Sequence, residues 1–184
     1  MTTNEQEYRD NPEEVRWEGR FIVAKTRGRW EYVGRSRNIG AGVILAIDDA
    51  DNVILVEQFR VPLGRPCLEL PAGLIGDTEG SEGEDPATAA ARELEEETGY
   101  RAARIESLGM FYSSPGMVSE CFTLYRATGL ERVSAGGGID DEGIIVHHVP
   151  LAEIADFVAA RRAEGMAIDV KMLLLLGAGM LAGR

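Results

Sequence analysis

Four glutamates stand within the five residues 93–97. On a helix, Glu93, Glu96 and Glu97 would fall within an arc of about 100°, with Glu95 on the opposite side. Three like charges on one helix face repel one another, so a cation beside them would stabilise the cluster. Clustered carboxylate oxygens suit magnesium or manganese, and these ions suit the chemistry of phosphates. The plain structural alternative is an acidic helix face in contact with solvent.

The helix that would carry these glutamates has clear ends. Asp85 is a good N-cap and Pro86 a good first helical residue, and Gly99 fits the position just past the C-terminus. The alanines between them are strong helix formers. Ala89 and Ala90 fall on the same helix face as the three glutamates, so we expect them to leave room there for ions and a polyphosphate.

Length and composition favour one compact domain with a small N-terminal extension. The chain has 184 residues, of which 45% are hydrophobic, and this is enough for a sizeable core. The net charge of −12 argues against nonspecific binding to nucleic acid or to an anionic membrane. The polar segment Met1–Glu14 is not a signal peptide, and the apolar run Leu173–Leu176 is too short to span a bilayer. A cytoplasmic protein is therefore expected.

Periodicity and turn residues predict a mixed β-sheet between helices. Residues 1–15 are expected to be weakly ordered. The glutamate helix separates two predicted hairpins and a short strand from the later strands. The predicted strands are 21–26, 30–34, 41–48, 53–59, 67–70, 104–112, 120–127 and 144–150, and the predicted C-terminal helices are 151–164 and 170–182.

The stretch from Gly73 through Glu84 to Tyr100 resembles the Nudix box. That motif runs glycine, five residues, glutamate, seven residues, then Arg-Glu-apolar-x-Glu-Glu-x-Gly-apolar. From Arg92 onward the chain matches every fixed position, and seven residues separate Glu84 from Arg92. The resemblance implies a Nudix-type α/β/α sandwich with a mixed β-sheet. We expect the Nudix domain over residues 39–184, after an N-terminal extension over 1–38 that carries a β-hairpin and serves dimerisation.

The spacing of the first glutamate departs from this pattern. Ten residues separate Gly73 from Glu84, where the motif has five. Residues 77–83 therefore carry an insertion of about five residues in the loop before the helix, where added polar residues are tolerated. Glu84 is the first candidate for the first glutamate of the box, and Glu79 and Glu82 are its alternatives.

The resemblance implies hydrolysis of a nucleoside diphosphate linked to another group, by attack of water on one phosphorus, with magnesium, or manganese in its place, held by the box. Glu93 and Glu97 are the first candidates for metal ligands, with Glu96 close behind and also a catalytic candidate. The carbonyl of Ala72 is the backbone ligand that the family suggests. Arg92 is expected to orient the glutamates by hydrogen bonds.

The resemblance to the family branch that hydrolyses ADP-sugars implies a general base in a mobile loop far from the box. Glu142 has that place, with Asp140 and Asp141 as alternatives. The three glycines at 136–138 would allow this loop to close over the substrate. The alternative is an exposed acidic turn without a role in catalysis.

Three further segments resemble the ADP-ribose and nucleoside-diphosphate-sugar pyrophosphatases, which act on small molecules and form homodimers. Pro115 stands sixteen residues after Gly99, the spacing of the ADP-ribose branch, whereas the glycine run 136–138 with its acidic end also resembles the GDP-mannose branch. The candidates for substrate binding are Trp30, Tyr32, Arg60, Glu69, Pro115, Gly116 and Glu120.

Each of these candidates could also have a purely structural role. Trp30 and Tyr32 could belong to the core, Arg60 to a surface ion pair, and Pro115 to an ordinary turn. The expected reaction is cleavage of ADP-ribose to AMP and ribose 5-phosphate, with GDP-mannose or another nucleotide sugar as the alternative substrate. A ligand-sensing Nudix domain without catalysis is the rival from another class, and a nucleoside triphosphate hydrolase is a rival within the family.

Overall fold

The N-terminal residues build a sheet of their own. The computed structural model describes residues 3–36, 39–75, 84–139 and 142–182. The chain starts with helix α1, followed by three strands in the sheet order β1-β2-β3, all antiparallel. These elements are α1 (Thr3–Asp10), β1 (Glu13–Glu18), β2 (Ile22–Arg27) and β3 (Trp30–Arg35).

Within residues 1–15, which we expected to be weakly ordered, the structure contains α1 and the start of β1. Every residue of β1 is exposed, so the strand has no buried face that a sequence pattern could show. Its backbone is instead satisfied by pairing with β2, in a register that runs from Glu13 opposite Arg27 to Glu18 opposite Val23.

Two further sheets form the body of the molecule. One has the order β7-β4-β9-β8 and the other the order β10-β5-β6-β11, and each contains one parallel pair, β4 with β9 and β6 with β11. The elements are β4 (Gly40–Ala46), β5 (Asn52–Arg60), β6 (Arg65–Glu69), β7 (Ala72–Ile75), α2 (Pro86–Thr98), β8 (Tyr100–Tyr112), β9 (Cys121–Arg132), β10 (Ile145–Pro150), α3 (Ile154–Ala163), β11 (Ala167–Ile168) and α4 (Leu173–Leu181).

The core lies on both faces of the central strands. On β4, Val43 and Leu45 belong to a buried cluster that includes residues of α3, whereas Ile44 and Ala46 belong to a second cluster with residues of α2. This division follows from the alternation of side chains along a strand. The predicted mixed sheet between helices is therefore present.

Two short strands were not expected from the sequence. β7 lies in the region predicted to be mostly connection, and β11 has only two residues. A strand this short carries no readable period, and its position is set by pairing with a distant strand. No helix in the described part of the chain is long and apolar enough to cross a membrane.

Candidate active site

Helix α2 presents the glutamates as the sequence predicts. The Asp85 carboxylate accepts a hydrogen bond from the Thr88 N–H at 3.1 Å, and Gly99 ends the helix with φ of 75°. Glu95 points away and pairs with Arg101 on the surface. The expectation for the alanines is wrong, since Ala89 and Ala90 are fully buried, and Ala90 packs against the strand β4 rather than leaving room for ions.

Glu97 is the buried member of the cluster, with 7% of its surface exposed. The Ala72 N–H donates a hydrogen bond of 3.0 Å to its Oε2 atom, which ties α2 to the start of β7. Burial raises the pKa of Glu97 to about 8, and the negative charges of Glu93 and Glu142 add to this rise, whereas the Ala72 N–H and Arg60 oppose it. A divalent cation would stabilise the charged form of such a group.

Gly73 allows the backbone of β7 to lie against the Glu93 side chain. A Cβ atom placed on Gly73 would lie 2.0 Å from the Cδ atom of Glu93, so any other residue would displace this carboxylate. The Ala72–Gly73 backbone, Glu93 and Glu97 therefore form one contiguous surface. This contact is the physical reason for a glycine at the start of the motif.

Arg92 holds the other acidic groups together. Its guanidinium lies 2.9 Å from Glu93 Oε1, 2.9 Å from Glu96 Oε2 and 3.8 Å from Glu84 Oε2. The Oε2 atom of Glu84 is buried and accepts no hydrogen bond from the described residues. Glu84 therefore lies beside Arg92 of the motif, and its alternatives Glu79 and Glu82 lie outside the described residues.

The donor set fits a hard divalent cation. Carboxylates and a backbone carbonyl are the ligands that magnesium and manganese take. The Glu84 Oε2 atom has no hydrogen bond from the described residues, and a cation beside Glu97 would favour the charged form of this buried carboxyl. No three acidic groups of the described chain are gathered closely enough to count as a ready metal cluster. Arg92 engages Glu93 and Glu96, so cation binding would require these carboxylates to turn from the guanidinium.

The glycine run reaches the same end of α2. The Gly137 N–H donates to the Glu97 carbonyl at 2.8 Å and the Gly138 N–H donates to the Glu96 carbonyl at 3.1 Å. These bonds satisfy carbonyls that a helix leaves unpaired at its C-terminus. We expected the glycines to serve loop closure, whereas here they dock the loop on the helix with φ of 112° and 80°.

Docking of this loop brings Glu142 to the acidic cluster. Its charge contributes to the raised pKa of Glu97, and its Oε2 atom accepts a hydrogen bond from the Ile139 N–H at 3.2 Å. The alternatives Asp140 and Asp141 lie outside the described residues. Among the three candidates for the general base, Glu142 is the one that the described structure places beside the motif.

Arg60 and Glu69 form a fixed pair next to the glutamates. Arg60 Nε lies 2.5 Å from Glu69 Oε1 and Arg60 Nη2 lies 2.9 Å from Glu69 Oε2. Glu69 is only 5% exposed, and both of its oxygens are occupied by the guanidinium. Glu69 therefore orients Arg60, and its expected contact with the substrate stays a prediction.

A cleft of 340 Å³ leads from the motif across the sheet. The residues predicted for substrate binding that line it are Arg60, Glu69 and Glu120, and they do so together with the Ala72–Gly73 backbone. Arg35 and Lys171 also line this cleft and were missed. A cation at the end of a strand was the available signal for Arg35, whereas only the tertiary fold brings Lys171 to the cleft.

The remaining predicted residues line a second cavity of 360 Å³. Trp30, Tyr32, Pro115 and Gly116 meet there, with Tyr8 of α1 as a further wall. Trp30 is 46% exposed, so the reading of this side chain as core is wrong. The site therefore has two ends. We call the glutamates of α2 with the Ala72–Gly73 backbone the acidic end, and Trp30 and Tyr32 with Pro115 and Gly116 the aromatic end. The segment ending at Glu120 lies between them.

Comparisons with known proteins agree with this site. The chain matches the family model of the NUDIX domain over residues 36–167. It is 38% identical over 127 residues to the methanol dehydrogenase activator of Bacillus methanolicus, which covers 68% of this chain and 66% of that protein. It is also 38% identical over 123 residues to the ADP-ribose pyrophosphatase of Bacillus subtilis, at 66% and 64% coverage. The chain thus spans about two thirds of the length of these relatives.

A longer match and a solved structure extend the comparison. The GDP-mannose pyrophosphatase of Cronobacter sakazakii is 35% identical over 164 residues, which cover 82% of this chain and 81% of that protein. The crystal structure of an ADP compounds hydrolase superposes with a TM-score of 0.67 at 24% identity, over 94% of this chain and 93% of that chain. This likeness confirms the predicted fold class.

Proposed function

Since the chain belongs to the NUDIX family, we propose that it hydrolyses the diphosphate bond of a nucleoside diphosphate sugar. ADP-ribose is the first candidate, with AMP and ribose 5-phosphate as products. The observation that carries this proposal is the acidic end of α2, where Glu93, Glu97 and the Ala72–Gly73 backbone form one surface beside Arg60. A relative named ADP-ribose pyrophosphatase supports the choice of substrate.

Nudix hydrolases generally need a divalent metal ion, and we propose magnesium, with manganese as a substitute. Glu93, Glu96 and Glu97 would hold it together with the Ala72 carbonyl. When bound, the metal neutralises diphosphate charge and lowers the pKa of a bound water. Arg92 keeps Glu93 and Glu96 on the same side of the helix through its two 2.9 Å contacts.

Glu142 takes the proton of the attacking water in this proposal. A general base must reach that water and be unprotonated at the working pH. The influence of the Glu142 charge on the pKa of Glu97 supports its proximity to the acidic end. Arg60, fixed in orientation by Glu69, donates its remaining N–H groups to the diphosphate or to the terminal sugar.

The aromatic end accepts the nucleobase in this proposal. Trp30 and Tyr32 offer flat rings in one cavity with Pro115 and Gly116, and a base can stack on such rings. GDP-mannose is the second candidate substrate, because the match to a GDP-mannose pyrophosphatase extends over 82% of the chain, further than the match to the ADP-ribose pyrophosphatase.

We also propose a cytoplasmic homodimer, with residues 1–38 as the dimerisation extension and 39–184 as the hydrolase domain. Trp17 and Phe21 are 57% and 51% exposed at the N-terminal sheet, and a second copy would cover them. Cys67 and Cys121 are free thiols, as is usual in a reducing compartment. A monomer by light scattering of the whole chain at micromolar concentration would contradict the dimer.

A substrate panel tests the proposed function. ADP-ribose, GDP-mannose, ADP-glucose, NADH and dGTP are each incubated with the protein and magnesium, and the products are identified by mass. We expect two phosphomonoesters from a nucleotide sugar, in the highest yield from ADP-ribose. Glu97→Gln is the inactive control, and turnover that persists in this variant would come from a contaminating hydrolase. Absence of turnover on the three nucleotide sugars would overturn the proposal. A preference for dGTP would instead indicate a nucleoside triphosphate hydrolase.

A further inference from the structure

The N-terminal sheet pairs directly with the segment that precedes β9. The Val33 N–H donates to the Met117 carbonyl at 3.0 Å, and the Ser119 N–H donates to the Val33 carbonyl at 2.9 Å. Val33 and Val118 thereby form a parallel β-bridge. One residue of β3 thus anchors a segment that is far away in the sequence.

Arg35 adds a charged contact two residues further along β3. Its Nε donates to Glu120 Oε1 at 2.9 Å, and its Nη2 bonds the same oxygen. The Ser113 hydroxyl donates to the other oxygen, Oε2, at 3.4 Å. The Glu120 carboxylate is therefore held from two sides, and the stronger, charged contact comes from the N-terminal sheet.

The pair occupies a central place in the cleft. Arg35 and Glu120 both line the 340 Å³ cleft beside the glutamates and also a neighbouring cavity of 330 Å³ that includes Ser119. Ser119 also lines the aromatic cavity. A ligand that reaches from the acidic end to the aromatic end would therefore pass Glu120.

We propose that Arg35 is a positioning residue, which fixes the Glu120 carboxylate so that it can accept hydrogen bonds from the sugar hydroxyls of the substrate. This inference rests on the proposed function, in which Glu120 contacts the nucleotide sugar. It gives the N-terminal sheet a role in the site of its own subunit, apart from any role in dimerisation. Arg35 reaches Glu120 through its Nε and Nη2 atoms, and we therefore assign its effect to this carboxylate.

The kinetic test compares Arg35→Ala, Arg35→Lys, Glu120→Gln and the double variant Arg35→Ala/Glu120→Gln, with the tested nucleotide sugar and magnesium. We expect Arg35→Ala to raise KM about tenfold with little change in kcat, because it loses a hydrogen bond between charged groups. Arg35→Lys should restore part of the loss. The double variant should be no worse than Glu120→Gln, since the two residues act as a unit. Arg16→Ala, on the exposed strand β1, is the matched control.

A second measurement does not depend on turnover. Hydrogen exchange of the Val33 and Ser119 amides reports on the bridge beside the Arg35–Glu120 contact. If this contact holds the two segments together, exchange should be faster in Arg35→Ala than in Arg16→Ala or Arg35→Lys. If the wild-type protein hydrolysed no nucleotide sugar, the proposed function would fail while this measurement still tested the positioning. Unchanged exchange in Arg35→Ala would overturn the inference, as would an additive loss in the double variant, which would show that Arg35 contacts the substrate itself.

Discussion

The acidic end and the aromatic end of the candidate site are assembled by different kinds of contact. At the acidic end, Arg92 reaches Glu93 and Glu96 on its own helix. The hydrogen bond from Ala72 to Glu97 spans 25 residues. At the aromatic end, Val33 beside Tyr32 hydrogen-bonds Met117 and Ser119, which lie far away in the sequence. A short motif can specify the first arrangement, whereas only the complete fold can specify the second.

The two ends also differ in burial. Glu97 is 7% exposed, whereas Trp30 is 46% exposed. Charges act more strongly where water is excluded, so the acidic end suits the binding of a cation. An open aromatic surface suits ligand recognition. Substitutions at the acidic end should therefore lower kcat, and substitutions at the aromatic end should raise KM.

The largest effect is expected for Glu97→Gln. Removing one buried carboxylate from the acidic end weakens cation binding, so turnover at limiting magnesium should fall about 100-fold or more. Circular dichroism should show an unchanged fold. Glu95→Gln is the matched control, because Glu95 lies on the outer side of the same helix and pairs with Arg101. Similar activity of the two variants would refute the assignment of Glu97.

The next largest effect is expected for Glu142→Gln. Loss of a general base should lower kcat by about 10²- to 10⁴-fold and change KM little, because the metal ligands stay in place. Asp140→Asn and Asp141→Asn are the controls and should cost less. If one of them has the larger effect, the base is reassigned. If none of the three lowers kcat even tenfold, a glutamate of α2 must serve as the base.

The same contrast explains what the sequence could predict. The ends of α2 and the direction of Glu95, away from the other glutamates, follow from spacing along one helix, and both predictions are confirmed. Arg92 contacts Glu93 and Glu96, and its expected role in orienting them stays a prediction. The family resemblance extended this success to the fold class, which the superposition with an ADP compounds hydrolase confirms.

Other features depend on partners that lie far away in the sequence. Ala90 was expected to face the metal, but it faces the sheet, because tertiary packing decides which side of a helix is buried. Glu69 was expected to bind the substrate, yet Arg60 occupies both of its oxygens. Arg35 was missed because its partner Glu120 becomes a neighbour only when β3 pairs with the segment at Val118.

A smaller effect, on the other side of the comparison, is expected for Trp30→Ala. Stacking of a base on an aromatic ring contributes about 1–3 kcal/mol, so KM should rise about fivefold or more while kcat stays within about threefold. Trp30→Phe keeps a flat ring, so its KM should lie between those of the wild type and Trp30→Ala. A loss of kcat with unchanged KM would show that the aromatic end does not bind the substrate separately from the chemistry.

The smallest effect is expected for Tyr32→Phe, which separates the ring from its hydroxyl. The hydroxyl donates to Glu13 Oε2 at 2.5 Å, away from any stacked base, so KM should change less than about threefold.

Burial, and then the bond to Glu13, raise the pKa of Tyr32 above 10.0. Because the folded-state pKa lies above the unfolded value, the stabilisation by this hydroxyl is fully present below pH 10.0 and is lost as the pH rises through the raised pKa. Urea unfolding should therefore show wild type more stable than Tyr32→Phe at pH 8, with the difference shrinking in strong alkali. A KM increase as large as that of Trp30→Ala would instead place the hydroxyl in contact with the substrate, and the aromatic end would then recognise polar groups as well as a flat ring.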